Sequence, residues 1–276
     1  METRHISFDD TRIAVHIAGS GPLAVLLHAY PLDHRMWLDL MTSPLAESRT
    51  FAAIDLRGHG DSPWCGNNVH SMEMFADDVS AVIRTLTDDP VDVVGVSMGG
   101  YVAQALVAHH GDLVSSLALV DTRGRDDTEE QRAGRDAAIA TLLSEGRSAI
   151  AAAMSGKLIA ARPADDPHHQ MLRARIVTMI ESLPTETILA DLRGLRDRRD
   201  RTESTSGVAV PVLVAVGEHD PITPPSETAA WAATIPGALH VVVPGAGHLP
   251  PMENPAEFVR VLTAFWDGIA DGDADD

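Results

Sequence analysis

The chain has 276 residues, 45% hydrophobic and 22% charged, a globular balance that excludes wholesale disorder and fibrous repeats. Its net charge of −19, from 40 acidic against 21 basic residues, argues against a general nucleic-acid binder, which needs a basic face. The same charge disfavours capture of polyanionic substrates.

The opening METRHISFDD lacks the apolar run of a secretory signal. No stretch approaches the roughly 20 apolar residues of a membrane span, so a cytoplasmic location without membrane contact is expected. The segments around Ile6 (ISF) and Ile13 (IAVHI) read as an opening antiparallel pair. Nearly continuous apolar runs follow: Leu23–Leu27, Val91–Val96, Leu117–Val120, Val212–Val216 and Leu239–Val243. Such runs suit strands buried on both faces. Between them, Phe75, Val79, Val82, Ile83 and Leu86 fall at helical spacing behind the N-cap Ser71. The single cysteine, Cys65, allows neither an intramolecular disulfide nor a cysteine-based zinc site. From Thr122 to Gly207, 86 residues carry no strand pattern and read as helices over 129–144, 148–159, 167–183 and 185–199. That is too long for one crossover connection. The basic residues are 20 Arg and one Lys, Lys157, a bias we read as genome composition. The last helix opens with Asn254 as cap, Pro255 at N1 and Glu257 at N3, and carries an apolar stripe of Phe258, Leu262, Phe265, Trp266 and Ile269. Residues 271–276, with four Asp in six positions, are expected to be disordered. Strands alternating with helices imply a mainly parallel, doubly wound sheet.

The strongest chemical signal is Gly95-Val96-Ser97-Met98-Gly99-Gly100. It follows a strand and precedes a helical run, the context of a G-x-S-x-G nucleophile elbow. A phosphate-cradling turn is the alternative, but neither G-x-G-x-x-G nor the lysine of a P-loop is present. A serine needs a base and a group to orient that base. Asp220 lies in GEHDPITP after the run 212–216, and His248 lies in GAGHLPP, 28 residues later. One helix and one strand fit between them, so both loops open on the edge of the sheet that carries the elbow. Asp121, at the end of the run 117–120, is the rival acid. His28 is expected to brace its loop, and the side chain of His219 to point away from the site. His109-His110 and His168-His169 lack a matching acidic pattern, so no metal is expected.

With LLHAYPLDHRMW, DLRGHGDSP, GVSMGG, GEHDPITPP and GAGHLPPMENP in this order, the chain resembles the α/β-hydrolase superfamily along nearly its whole length. Within it, small bacterial carboxylesterases and oxoadipate enol-lactonases are most similar. The resemblance implies an α/β-hydrolase fold: a mostly parallel eight-stranded sheet flanked by helices, with a helical lid inserted after the sixth strand. Residues 1–121 and 208–270 would form the core, and 122–207 the lid. It also implies a nucleophile Ser97, base His248 and acid Asp220, with an oxyanion hole formed by the backbone N–H groups of Met98 and Tyr30. Ala29 departs from the family, which has glycine there, so the loop carrying Tyr30 is expected to sit slightly differently. The turn of Arg57, Gly58 and Gly60 is read as structural.

The expected activity is hydrolysis of small carboxylic esters, without cofactor, on a small-molecule ester or lactone. The net charge favours neutral esters, unless lid arginines such as Arg173 or Arg175 line the pocket. Met154, Ile159, Met171, Ile180 and Leu183 are apolar lid candidates. The alternatives are an enol-lactonase or other lactonase, a cofactor-free perhydrolase, and a ligand sensor that retains the three residues. Monomer and dimer both remain open.

Overall fold

The computed structural model describes residues 1–273. An antiparallel pair, β1 (Glu2–Phe8) and β2 (Thr11–Gly19), opens the chain, followed by β3 (Leu23–Leu27), a short α1 (Leu38–Met41) and β4 (Thr50–Asp55). Next come α2 (Met72–Leu86), β5 (Val91–Val96), α3 (Met98–His109) and β6 (Val114–Val120). Five helices then run without a strand: α4 (Glu129–Glu145), α5 (Arg147–Ser155), α6 (Pro167–Ser182), α7 (Thr185–Arg196) and α8 (Thr202–Ser206). The chain closes with β7 (Val212–Gly217), α9 (Pro225–Ala232), β8 (Leu239–Val243), α10 (Pro250–Glu253) and α11 (Pro255–Asp273).

The eight strands form one sheet in the order β1-β2-β4-β3-β5-β6-β7-β8. Antiparallel pairing of β2 with both β1 and β4 leaves β2 alone running against the rest; β3 to β8 pair in parallel. Interior strands are buried on both faces because helices cover both, and β5 and β7 have no exposed residue. The run 239–243 departs from this expectation. It forms the edge strand β8, where Leu239 and Val242 are exposed.

Helix boundaries follow their caps. Ser71 Oγ accepts from the Met74 N–H at 3.1 Å, and Phe75, Val79, Val82 and Ile83 are fully buried behind it. Thr128 and Gln131 close a capping box on α4, which starts at Glu129 as expected. Within the stretch 122–207, α5 stops at Ser155 rather than 159, and the short α8 adds a helix beyond the expected four. At the C-terminus, α11 continues through Asp273. Residues 271–273 of the tail expected to be disordered are therefore helical, and 274–276 lie outside the described residues. No described helix is long and apolar enough to cross a membrane.

Candidate active site

The buried strand β5 ends at Val96, the chain reverses at Ser97, and α3 begins at Met98. Ser97 has φ 53° and ψ −112°. A positive φ in a residue with a Cβ costs on the order of 1–3 kcal/mol and persists only where its surroundings enforce it. Here the Ser97 N–H donates to Val120 O at 2.8 Å. Its carbonyl accepts from Thr122 Oγ1 at 3.0 Å and from the Tyr101 N–H at 3.1 Å. The turn leaves no room for side chains: a Cβ on Gly95 would lie 2.3 Å from Gly99 O, and one on Gly99 would lie 2.0 Å from Leu27 O. Gly99 thus lets the start of α3 abut the end of β3, where the loop to Tyr30 departs.

Asp220 and His248 come together from the loops after β7 and β8. His248 Nδ1 lies 2.8 Å from Asp220 Oδ2, and both residues are buried. Asp220 also accepts from the Ile222 N–H at 2.8 Å and from the Thr223 hydroxyl. Burial by itself would raise the Asp220 carboxyl. The imidazole of His248, the neighbouring Asp121 and the Thr223 hydroxyl outweigh burial and hold it well below the usual carboxylate range.

The rival acid, Asp121, stands behind this pair. It is fully buried at φ 46°, and its Oδ1 accepts from the Gly217 N–H at 2.9 Å. Its Oδ2 has no donor among the described residues. Burial, then the facing Asp220 charge, push the Asp121 carboxyl far up. With Asp220 held down and Asp121 pushed up, the neutral form is favoured at Asp121 and the charged form at Asp220. Residue order offers Asp121 only as a rival to Asp220; that the two lie side by side follows from the meeting of the loops after β6 and β7.

The backbone N–H groups of Tyr30 and Met98 donate to no group among the described residues. Ala29 is accommodated without a positive φ. The fully buried His28 holds that loop: its Nδ1 lies 3.1 Å from Ala29 O, and its Nε2 accepts from the Leu56 N–H at 3.1 Å. Burial, then the nearby His59, lower the His28 imidazole to about 4, so it sits neutral in this brace. His219 points outward, with Glu218 Oε2 at 3.7 Å and half its side chain exposed. Arg57 bonds Asp78 at 2.6 Å and Asn67 at 2.8 Å.

Two described clusters bring three metal-ligand atoms within 4.8 Å of one another: Asp121–Asp220–His248 and His16–His34–Asp55. In the second, the two imidazoles stack 3.4 Å apart and both bond Asp55, at 3.0 and 2.9 Å. Those nitrogens are already engaged by the carboxylate. His110 bonds Asp77 at 2.8 Å, while the backbone N–H groups of His168 and His169 are capped by Asp166.

Ser97, His248 and Tyr30 line one niche of about 40 Å³. It adjoins a cavity of about 330 Å³, and the two share Tyr30, Tyr101, Arg135, Met154 and Ile222. Of the apolar candidates from the stretch 122–207, Met154 reaches this space. Ile159, Ile180 and Leu183 are buried, and Met171 lies half exposed in a separate groove beside Leu38. Neither Arg173 nor Arg175 lines either cavity. Arg175 bonds Asp39 at 3.0 Å, and Arg173 reaches Ser155 Oγ at 3.4 Å. The cations that do line the larger cavity are Arg123, Arg135 and Lys157, which no pattern in the sequence singles out.

The alpha/beta hydrolase fold family matches this chain over residues 22–255. A thermophilic esterase from Thermogutta terrifontis, determined with malate bound, superposes with a TM-score of 0.90 at 32% identity, covering 98% of this chain and 99% of that one. The enol-lactonase from Burkholderia xenovorans LB400 superposes with a TM-score of 0.86 at 25% identity, covering 96% of this chain and all of that one. A pimeloyl-[acyl-carrier protein] methyl ester esterase of Neisseria meningitidis serogroup C is 29% identical over 259 residues, 88% of this chain and 93% of the relative. Sheet order, elbow and the family match over most of its length agree: the chain belongs to the alpha/beta hydrolase fold family.

Proposed function

We propose that the protein is a serine hydrolase that cleaves small carboxylic esters through an acyl-enzyme on Ser97. The observation that carries this reading is one niche lined by both Ser97, on its strained elbow, and His248, whose other ring nitrogen meets Asp220 at 2.8 Å. His248 takes the Ser97 proton as Oγ attacks the ester carbonyl. Asp220 fixes the imidazole tautomer and stabilises the imidazolium that forms. The oxyanion rests on the free N–H groups of Tyr30 and Met98. The proton on His248 passes to the departing alkoxide, which leaves as the alcohol. Water, deprotonated by the same imidazole, then attacks the acyl-enzyme, and the acid departs as the proton returns to Ser97.

Residues 122–207 serve as the lid of this site, with 1–121 and 208–270 as the core. In support, Arg135, Met154, Leu158 and Leu195 from the inserted stretch line the Ser97 niche. A lid there shapes the pocket and excludes bulk water. Lactone hydrolysis is the second reading, favoured by the structural likeness to an enol-lactonase. Ring opening requires the same attack, proton transfers and deacylation. The test is a panel of nitrophenyl esters of graded acyl length beside a lactone panel, run on the native protein and on Ser97→Ala. Ser97→Ala should lose about 10⁴-fold or more in kcat while melting at the native temperature. Comparable turnover by a folded Ser97→Ala protein would overturn the serine-hydrolase assignment.

A further inference from the structure

Resting on the ester-hydrolase reading, we infer that the substrate carries a carboxylate remote from its scissile carbonyl, held in the cavity beside Ser97 by Arg135 and Lys157. The charges around that cavity motivate the inference. Its lining includes three cations, Arg123, Arg135 and Lys157, and one acid, Asp127. Asp127 is already shared: one oxygen is bonded by Arg198, and the other accepts from Arg135 Nε at 3.1 Å. Arg123 donates to the Ile222 carbonyl, and its Nε lies 3.4 Å from Glu227, which Arg125 also bonds at 3.1 Å. Five cations, Arg123, Arg125, Arg135, Arg198 and Lys157, are thus answered by two carboxylates, Asp127 and Glu227. This local excess of positive charge occurs in a chain of net charge −19.

The single lysine of the chain completes the pattern. Lys157 is exposed, lines the cavity, and has neither a carboxylate nor a hydrogen-bond acceptor among the described residues. An ammonium with no partner at the wall of a half-open cavity is available to an incoming anion. Arg135 lines both the cavity and the Ser97 niche, whereas Lys157 lines the cavity alone. Ile150, Met154 and Ala138 give the remaining wall an apolar character suited to a short methylene spacer. Net acidity does not oppose this, because a pocket with a local excess of positive charge focuses its own field.

The experiment compares two ester pairs matched in size at low salt. The nitrophenyl half-ester of glutarate is set against nitrophenyl pentanoate, and 4-carboxyphenyl acetate against its methyl-ester analogue. The pairs place the anion on the acyl and alcohol sides in turn. The quantity read is the ratio of kcat/KM, anionic over neutral, for the native protein, Lys157→Gln, Arg135→Gln and Lys157→Arg, with melting temperatures recorded alongside. In at least one pair the native ratio should exceed one and decline with added salt. It should fall about 10- to 100-fold in Lys157→Gln or Arg135→Gln, the loss expected for a charged hydrogen bond, and return in Lys157→Arg. A native ratio of one or less in both pairs, or a ratio unmoved in both Gln variants, would overturn the inference. Failure of the ester-hydrolase reading looks different: the neutral esters themselves would then not be cleaved through Ser97.

Discussion

Asp191 offers a direct measure of how firmly the inserted helices are tied to the sheet. It lies on α7, fully buried, and bridges two histidines of the loops after β4. Its Oδ2 lies 3.0 Å from His59 Nε2, and its Oδ1 lies 2.7 Å from His70 Nδ1. Backbone contacts surround the bridge: the His70 N–H donates to Ala190 O at 3.0 Å, and Thr187 Oγ1 donates to Gly58 O at 3.1 Å. Burial alone would lower the His59 imidazole and raise the Asp191 carboxyl. The attraction between them outweighs burial, so His59 is raised and Asp191 is lowered. A raised histidine contributes stability that is fully present below its unfolded value of about 6.5 and is lost as pH rises through the folded value. A lowered aspartate contributes stability present above about 3.9 and lost as pH falls through its folded value. Both contributions are therefore present near pH 6, and the histidine term declines as pH rises above about 6.5 through the folded value.

Removing one partner of a buried ion pair costs about 3–5 kcal/mol. Asp191→Asn removes the charge but retains an acceptor for His70, which points to the lower end. With about 2.1 cal/mol/K of unfolding entropy per residue, a chain of this length changes by roughly 0.6 kcal/mol per degree. Asp191→Asn should then lower Tm by about 5–6 °C at pH 6, and by less at pH 9. Calorimetry or a far-ultraviolet melt at the two pH values measures it. A loss under about 2 °C at pH 6, or one that grows toward pH 9, would refute the charged bridge. Because Leu192 and Leu195 of the same helix line the cavities beside Ser97, KM should rise in this variant before kcat falls.

Two further outcomes test the site itself. Asp121→Asn should keep kcat/KM within about threefold at pH 8, because its amide can both donate to Asp220 and accept from Gly217, whereas Asp220→Asn should lose about 10⁴-fold. Equal losses in the two variants would show that Asp121 works as a carboxylate. Gly99→Ala places a Cβ 2.0 Å from Leu27 O and 2.9 Å from His28 O, so the loop that presents Tyr30 must move. We expect about 1–3 kcal/mol of destabilisation in a denaturant titration, and a fall in kcat approaching the roughly 100-fold cost of an oxyanion donor. An unchanged kcat would remove Tyr30 from that role.

The sequence by itself determined the frame of this protein and the pieces of its site. Val- and Leu-rich runs such as 91–96 can be buried on both faces only within a covered parallel sheet. Ser97 between Gly95 and Gly99 marks a strand-to-helix reversal because the backbone atoms there leave no room for a Cβ. Ser71, Asn254 and Pro255 set helix starts by local hydrogen bonding, which is legible from neighbours alone. What only the tertiary structure decided joins residues far apart in the chain. The run 239–243 resembles a central strand, yet strand order leaves it at the edge. Asp121 and Asp220 are 99 positions apart, and their burial side by side pushes one carboxyl up while His248 holds the other down. The overall charge of −19 favours neutral substrates unless lid arginines line the pocket, and the two that the sequence offers for that, Arg173 and Arg175, line neither cavity. Composition sums charge over the whole surface, whereas packing of the inserted stretch brings Arg135 to the Ser97 niche and Lys157 to the adjoining cavity. A side chain's direction depends on how its helix is rotated against its neighbours, and sequence spacing alone carries no record of that rotation.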